Sequence, residues 1–266
     1  MRSEQVIDRI NERSNTDVIA ECFSAAANTY HHHNSLQKIS AQKLLNEMSP
    51  SGVLLDIGCG PGTDFSYFIH LKHVIALDIA QGMLDQVERH FPTYQTICSD
   101  AKAIPLAQNS VDTVYSNLAL QWCDDIKQSF DSTALALKSG GNYHLAIVAQ
   151  DSLPELTELG FRANSFRSLP NIASQFDPEV WRIKSAAVET ITVYFTSLKA
   201  LLYSIKGVGA SIHTGASPSN STSSVLSHGI RGRGDWQKQL VKAERMRQEA
   251  GLPLTYHIAR LHIEKR

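Results

Sequence analysis

Residues 53–62 read Val-Leu-Leu-Asp-Ile-Gly-Cys-Gly-Pro-Gly. An apolar run ends in an acid, and glycines follow at the alternate positions 58, 60 and 62. The pattern is that of a buried strand running into a turn too tight for side chains. Gly58, Gly60 and Gly62 can take backbone angles that other residues resist, and they let a ligand lie against the main chain. The spacing is G-x-G-x-G, which differs from the dinucleotide fingerprint G-x-G-x-x-G. On its own it also suits a structural glycine turn in some other α/β protein.

Outward from this turn, strands and helices alternate. Strands are expected over 53–57, over 73–77 closing on Asp78, and over 94–98, 111–116 and 143–148. Helices are expected over 63–70, 82–90 and 125–137, and Gly140-Gly141 turns the chain into the strand at 143. Upstream, Phe23, Ala26, Ala27 and Tyr30 repeat at i, i+3, i+4 and i+7 along a helical stretch, and a second helix over 35–48 ends before Pro50. Alternating units predict an α/β fold with a mostly parallel seven-stranded sheet flanked by helices. After Gln150 the rhythm changes. A helix over 153–166, with Pro154 in its first turn, precedes short helices over 169–181 broken at Pro170 and Pro178. A strand over 188–195, a helix over 197–205, a Ser/Gly-rich loop over 211–234, a helix over 235–250 closed by Gly251 and a strand over 254–263 complete the chain. The division expected is an N-terminal helical cap (1–50), a cofactor-binding core (51–150), an inserted helical lid (151–186) and C-terminal strands and helices completing the same domain (187–266).

A chain of 266 residues can bury a sizeable core. Its net charge of −1 argues against a nucleic-acid or anionic-membrane partner. The polar start Met-Arg-Ser-Glu-Gln and the absence of a spanning apolar run point to a cytoplasmic protein. Cys22, Cys59, Cys98 and Cys123 are scattered with no C-x-x-C, which suits buried thiols in a reducing compartment and no metal site. His31-His32-His33 supplies no closed ligand set and reads as a polar helix end.

Ligands of open α/β sheets sit beyond the carboxyl ends of the strands. Besides the glycine turn, Asp78 stands at such an end, where a carboxylate can take both hydroxyls of a ribose; the same spacing serves NAD enzymes. Asp100 follows the third strand and could accept from an adenine amino group, with Met83 and Ala101 flanking the ring. Met83 also suits ordinary helix core. The segment Ser116 to Trp122 follows the fourth strand, where Asn117 and its neighbours can line the remaining end of a ligand. Tyr30, Phe23 and Trp122 are candidate aromatic walls.

Asp56 with the G-x-G-x-G turn resembles the first motif of the Rossmann-like class I S-adenosylmethionine-dependent methyltransferases. A closer resemblance is carried by Cys22-Phe23-Ser24-Ala25-Ala26-Ala27-Asn28-Thr29-Tyr30 with Leu36-Gln37, by the runs 106–112 and 116–123, by Asp151-Ser152-Leu153-Pro154-Glu155-Leu156, by Ser204-Ile205-Lys206-Gly207-Val208-Gly209-Ala210, and by Pro253-Leu254-Thr255-Tyr256-His257. These blocks, spread over nearly the whole chain, resemble the biotin-pathway malonyl-[acyl-carrier protein] O-methyltransferases, the BioC family. The resemblance implies S-adenosyl-L-methionine as methyl donor and malonyl-acyl-carrier protein, or malonyl-CoA, as substrate. Independently of the resemblance, a monomer with no metal is expected. Its cofactor site would be Tyr30, Asp56, Gly58, Gly60, Gly62, Asp78, Met83, Asp100, Ala101, Asn117 and Trp122. Tyr30, Trp122, Arg167 and Lys206 would serve the chemistry, the two cations as a carboxylate clamp with Tyr256 and His257 nearby. A carboxylate nucleophile is ionised at neutral pH and needs no general base.

The chain departs from the family around 164–170, where Ser165 stands in place of the expected Arg and Arg167 follows Phe166, and over 218–235, where Ser and Gly replace a helical pattern. Lys238, Lys242, Arg245 and Arg247 form a basic stretch that suits either an acidic carrier or a solvated helix face. Other readings are a methyltransferase for another small acid or a quinone-type carbon, a silent binding protein, and an NAD oxidoreductase.

Overall fold

The computed structural model describes residues 15–30, 34–161, 164–207 and 233–266, with backbone alone at 206, 207 and 233. Helices α1 (Asn15–Ala26) and α2 (Ser35–Asn46) precede strand β1 (Gly52–Ile57), β2 (Leu71–Asp78), helix α3 (Gln81–His90), β3 (Gln95–Cys98) and β4 (Val111–Asn117). Then come helix α4 (Ile126–Ala136), β5 (Leu137–Val148), the short helices α5 (Pro154–Glu158) and α6 (Leu169–Ala173), and β6 (Trp181–Phe195). Helices α7 (Leu198–Gly207) and α8 (Arg233–Met246) and strand β7 (Leu252–Lys265) end the chain.

The strands form one sheet in the order β3-β2-β1-β4-β5-β7-β6. Strands β1 to β5 pair in parallel, and β7 lies antiparallel between β5 and β6. The strand order reverses between β1 and β4, which opens a crevice at their carboxyl ends. Alternate residues of β1 face opposite layers. Leu55 and Ile57 pack with Val114, Tyr143, Phe130 and Trp181. Leu54 faces the other layer, with Tyr115, Leu36, Leu44 and Leu45 from β4 and α2. A third cluster joins α5, α7 and β7 through Leu156, Leu201 and Leu254. Among the described residues no helix is long and apolar enough to cross a membrane.

Several expected elements differ. No helix forms over 63–70. The Asp64 carboxylate accepts the Ser66 N–H (2.9 Å) and the Tyr94 hydroxyl accepts the Phe65 N–H (3.0 Å), so side chains take the donors a helix would use. The helix α1 stops at Ala26, and Ala27 and Tyr30 follow in tight turns, with Ala27 N–H on Ser24 O and Thr29 N–H on Ala26 O. The helix expected over 153–166 shrinks to α5: Gly160 at φ +80° ends it and Phe161 N–H turns back to Leu156 O at 2.8 Å. Pro170 starts α6 instead of breaking a helix, since a first-turn proline lacks only a donor that has no partner there. Strand β6 begins at Trp181, seven residues before the expected strand, because β7 pairs along its whole length. Helix α8 ends at Met246, and Gln248 and Gly251 close a tight turn. In the stretch 151–186, Ile172 and Phe176 are buried in the main core, where Phe176 stacks on Phe130 with ring centroids 3.8 Å apart. The loop expected over 211–234 and the histidines 31–33 lie outside the described residues, apart from the start of α8.

A stacked histidine pair, with His144 buried and His262 half-buried, makes the sheet sensitive to acid. His144 on β5 stacks on His262 of β7 at 4.4 Å, and burial lowers the His144 pKa to about 4. A histidine that stays neutral when folded but protonates near pH 6.5 when unfolded leaves the native state losing stability as pH falls from 6.5 towards 4, by up to roughly 3 kcal/mol. The buried Asp56 and Asp78, raised by burial, act with the opposite sign. Urea midpoints measured from pH 7 to 4.5 for the wild type and His144→Phe should therefore converge or cross as pH falls, the wild type losing more. Parallel profiles would contradict the assignment.

Candidate functional site

A cavity of about 640 Å³ opens at the carboxyl ends of β1 to β4 and is roofed by α1 and α2. Its size is that of a small-molecule site. Tyr30, Asp56, Gly58, Gly60, Gly62, Asp78, Met83, Asp100, Ala101, Asn117 and Trp122 all line it. Residues separated by more than ninety positions thus converge because each follows, or packs over, the end of a strand.

The glycine turn is held from both sides. Gly58 and Cys59 N–H both bond Leu77 O, at 2.8 and 3.0 Å, which hooks the turn onto β2. Asp78 Oδ2 accepts the Gly60 N–H and Oδ1 accepts the Ala80 N–H, each at 2.9 Å. The three glycines have different reasons. A Cβ at Gly58 would meet the Ala119 Cβ at 2.2 Å, and one at Gly62 would meet the Phe91 ring at 2.7 Å. Those two permit packing of the protein on itself. Only Gly60, with nothing within 4 Å, leaves its side open. All three line the cavity, and their main chain remains a candidate ligand surface.

The floor is acidic and its carboxylates Asp56 and Asp78 are buried. Asp56 is buried, and desolvation followed by the neighbouring Asp78 pushes its pKa well up, with Thr63 pulling it back. Asp78 is raised by burial against its backbone hydrogen bonds. The Tyr30 phenol is raised first by burial and then by the Asp78 and Cys59 charges. Asp100 sits in a turn in which its Oδ1 accepts the Lys102 N–H at 2.9 Å. Phe23 and Trp122 meet edge-to-face at 5.9 Å on the cavity wall, and Met83 is buried beside Ala27 and Ala80.

Asn117 is committed to the protein. Its Oδ1 accepts the Ser40 hydroxyl at 2.7 Å and its Nδ2 donates to Gln37 O at 3.1 Å, so it fastens α2 over the strand ends. Arg167 does not line the cavity; its guanidinium donates to Cys123 O (3.2 Å) and Asp124 O (2.7 Å) on the rim. The Lys206 side chain lies outside the described residues. Tyr256 and His257 also lie outside the wall; His257 N–H donates to the Ser152 hydroxyl at 2.8 Å and Thr255 N–H to Glu155 at 3.0 Å, so these sequence blocks bind one another. Reading the sequence missed the α2 wall of Asn34, Gln37, Lys38 and Gln42, and it missed Lys102. The helix itself was expected over 35–48, and Leu36-Gln37 belonged to a family-like block, but nothing marked these side chains as cavity lining. Among the described residues no group of three or more His, Cys, Asp or Glu could hold a metal ion.

Comparison with known proteins followed the same line. A family model described as a methyltransferase domain matches residues 55–145. The malonyl-[acyl-carrier protein] O-methyltransferase of Pseudescherichia vulneris is 34% identical over 212 residues, covering 76% of this chain and 83% of that one. The protein of the same name from Enterobacter lignolyticus is 32% identical over 90% of this chain and 94% of its own. A geranyl diphosphate C-methyltransferase from Streptomyces coelicolor, solved with S-adenosyl-L-homocysteine, covers 87% of this chain and 80% of its own at 11% identity and a TM-score of 0.50, a likeness of fold.

The glycine contrast is testable. Gly58→Ala combines a positive φ with a backbone-adjacent clash and should lower stability by roughly 2–4 kcal/mol. Gly60→Ala should cost about 1–2 kcal/mol, from its φ of +54° alone. Equal losses in denaturant unfolding would show that the two glycines serve the same purpose.

Proposed function

The chain belongs to the malonyl-[acyl-carrier protein] O-methyltransferase family, and from that premise we propose that it transfers the methyl group of S-adenosyl-L-methionine to the free carboxylate of a malonyl thioester on acyl-carrier protein. The product is the methyl ester, which masks the acid early in biotin synthesis. The observation that carries this reading is the convergence of the eleven expected donor-site residues on one cavity at the switch point of the sheet.

The residues fit such a donor. Gly60 offers open main chain, the carboxylates of Asp56 and Asp78 are buried, and among the described residues the buried Asn34 Oδ1 and Gln37 Oε1 have no hydrogen-bond partner beside the cavity. On this reading Asp78 holds the ribose hydroxyls, Asp100 the adenine amino group, and Met83 and Ala101 the ring faces. Tyr30, Phe23 and Trp122 face the sulfonium, which aromatic rings attract. The donor supplies, when bound, an electrophilic methyl carbon. The protein aligns the carboxylate oxygen with it and excludes water. One C–O bond forms and one C–S bond breaks; no proton moves, so no base is required. Asn117 acts through α2, and Arg167 acts by bracing the Cys123–Asp124 rim. Lys206 keeps a clamp role by family resemblance. The segment 1–50 caps the donor, and 151–186, anchored by Ile172 and Phe176, walls the substrate side. The enzyme works as a monomer in the cytoplasm, and acyl-carrier protein serves ahead of coenzyme A as the carrier.

Labelled donor with malonyl-, succinyl- and acetyl-acyl-carrier protein tests the proposal. Malonyl should accept a base-labile methyl group and acetyl none, for lack of a free acid. A base-stable product would instead favour a carbon nucleophile. Asp78→Ala should weaken donor binding about 10- to 100-fold, the loss of charge-assisted hydrogen bonds; unchanged calorimetric affinity would place the donor elsewhere.

A further inference from the structure

We propose that Asn34 and Gln37, at the start of α2, recognise the amino-acid end of the methyl donor: their amide oxygens accept from its α-ammonium and their amide N–H groups reach its α-carboxylate. This role rests on the donor site proposed above. Both residues line the cavity. They stand three positions apart, a spacing that sets side chains on one helix face. Each side chain is half-buried, yet Asn34 Oδ1 and Gln37 Oε1 are buried and, among the described residues, have no hydrogen-bond partner. Buried polar atoms of folded proteins are nearly always partnered, and an orphan acceptor carries a desolvation cost that a ligand donor removes.

Neighbouring amides are engaged within the protein. Gln42, on the same wall, donates to Asn46 Oδ1 at 2.9 Å, and Asn117 uses both ends of its amide. An N-cap asparagine ordinarily turns its side-chain oxygen onto an N–H of its own helix. Asn34 is the N-cap of α2 and makes no such bond. The backbone beneath both amides is fixed: Lys38 N–H bonds Asn34 O at 3.0 Å, and Gln37 O accepts from Asn117 Nδ2 at 3.1 Å. Sheet order gives these amides their place along the donor. Across β3-β2-β1-β4, Asp100 follows β3, Asp78 closes β2 and Asn117 closes β4. Adenine on Asp100 and ribose on Asp78 leave the amino-acid end to run towards β1 and β4. The tie to Asn117 sets Gln37 over that end, and Tyr115, two residues earlier on β4, packs in the α2 layer.

An amide pair suits this group. The amino-acid end is a zwitterion at neutral pH, and an amide offers an acceptor and donors without net charge. Methyl transfer changes the charge on sulfur and leaves this end unaltered, so the same contacts hold before and after the reaction. Asn34 and Gln37 therefore position the donor and take no part in the bond exchange.

Calorimetry on the wild type, Asn34→Leu and Gln37→Met with two nucleosides tests the assignment. S-adenosyl-L-homocysteine carries the amino-acid end; 5′-methylthioadenosine keeps adenine, ribose and sulfur and lacks it. Each variant should bind S-adenosyl-L-homocysteine about tenfold more weakly and 5′-methylthioadenosine within about twofold of wild type. Retained binding of 5′-methylthioadenosine also shows that the pocket is folded, and Asn34→Ala and Gln37→Ala give the same comparison where a larger side chain perturbs α2. Equal losses for both nucleosides make the amides structural supports of α2 and overturn the proposal. Unchanged affinity for both, with the wild type binding both, overturns the role of the amides alone; a raised KM for the malonyl carrier in those variants would then assign them to the acceptor substrate. A wild type that binds neither nucleoside overturns the donor reading and the amides' role together.

Discussion

A buried carboxylate holds the site together. Asp78 is 8% exposed, and each of its oxygens accepts a backbone N–H, one from Gly60 after β1 and one from Ala80 at the start of α3. Charges this deep are retained only where hydrogen bonds satisfy them. Here the bonds join two strand ends, so the shape of the turn and the position of α3 are set by the same group. Asp56 lies close enough to raise its own pKa on account of Asp78. Two neighbouring buried carboxyl groups are costly to ionise together, and burial raises the pKa of each.

The roof depends on a neutral contact. Asn117 uses both ends of its amide on α2, so the helix that lines the opposite wall is registered to the end of β4. Salt bridges of Lys43 and Arg260 with Glu189 tie the same helix, and β7 behind it, to the edge strand β6. The result is a cavity with acids on the sheet side and amides and a lysine on the helix side.

What the sequence reveals follows from which interactions are local. The parallel strands were legible because their apolar runs end in Gly58, Asp78, Asp100 and Asn117, and those same ends supply the site. The missing helix over 63–70 was not, because Tyr94, about thirty positions away, takes the Phe65 N–H. The early start of β6 was not, because the 181–187 stretch includes lysine, serine and alanines of weak strand preference and extends only by pairing with β7. Gly58 and Gly62 line the cavity as expected, while the side a Cβ would take is filled by Ala119 and Phe91, which no short-range pattern shows. Asn117 was placed at the cavity correctly, while its engagement with Ser40 spans 77 positions and is invisible to spacing. Arg167 matched a charge requirement by residue type, but its partners are carbonyls that sequence does not reveal.

The central claim is that the floor formed by Gly60, Asp78 and Asp100 receives the methyl donor. Crystals grown with S-adenosyl-L-homocysteine test it most directly. The account predicts density with the ribose on Asp78, the adenine between Met83 and Ala101, and the sulfur towards Tyr30 and Trp122. Density lodged elsewhere, with this floor holding only solvent, would contradict it.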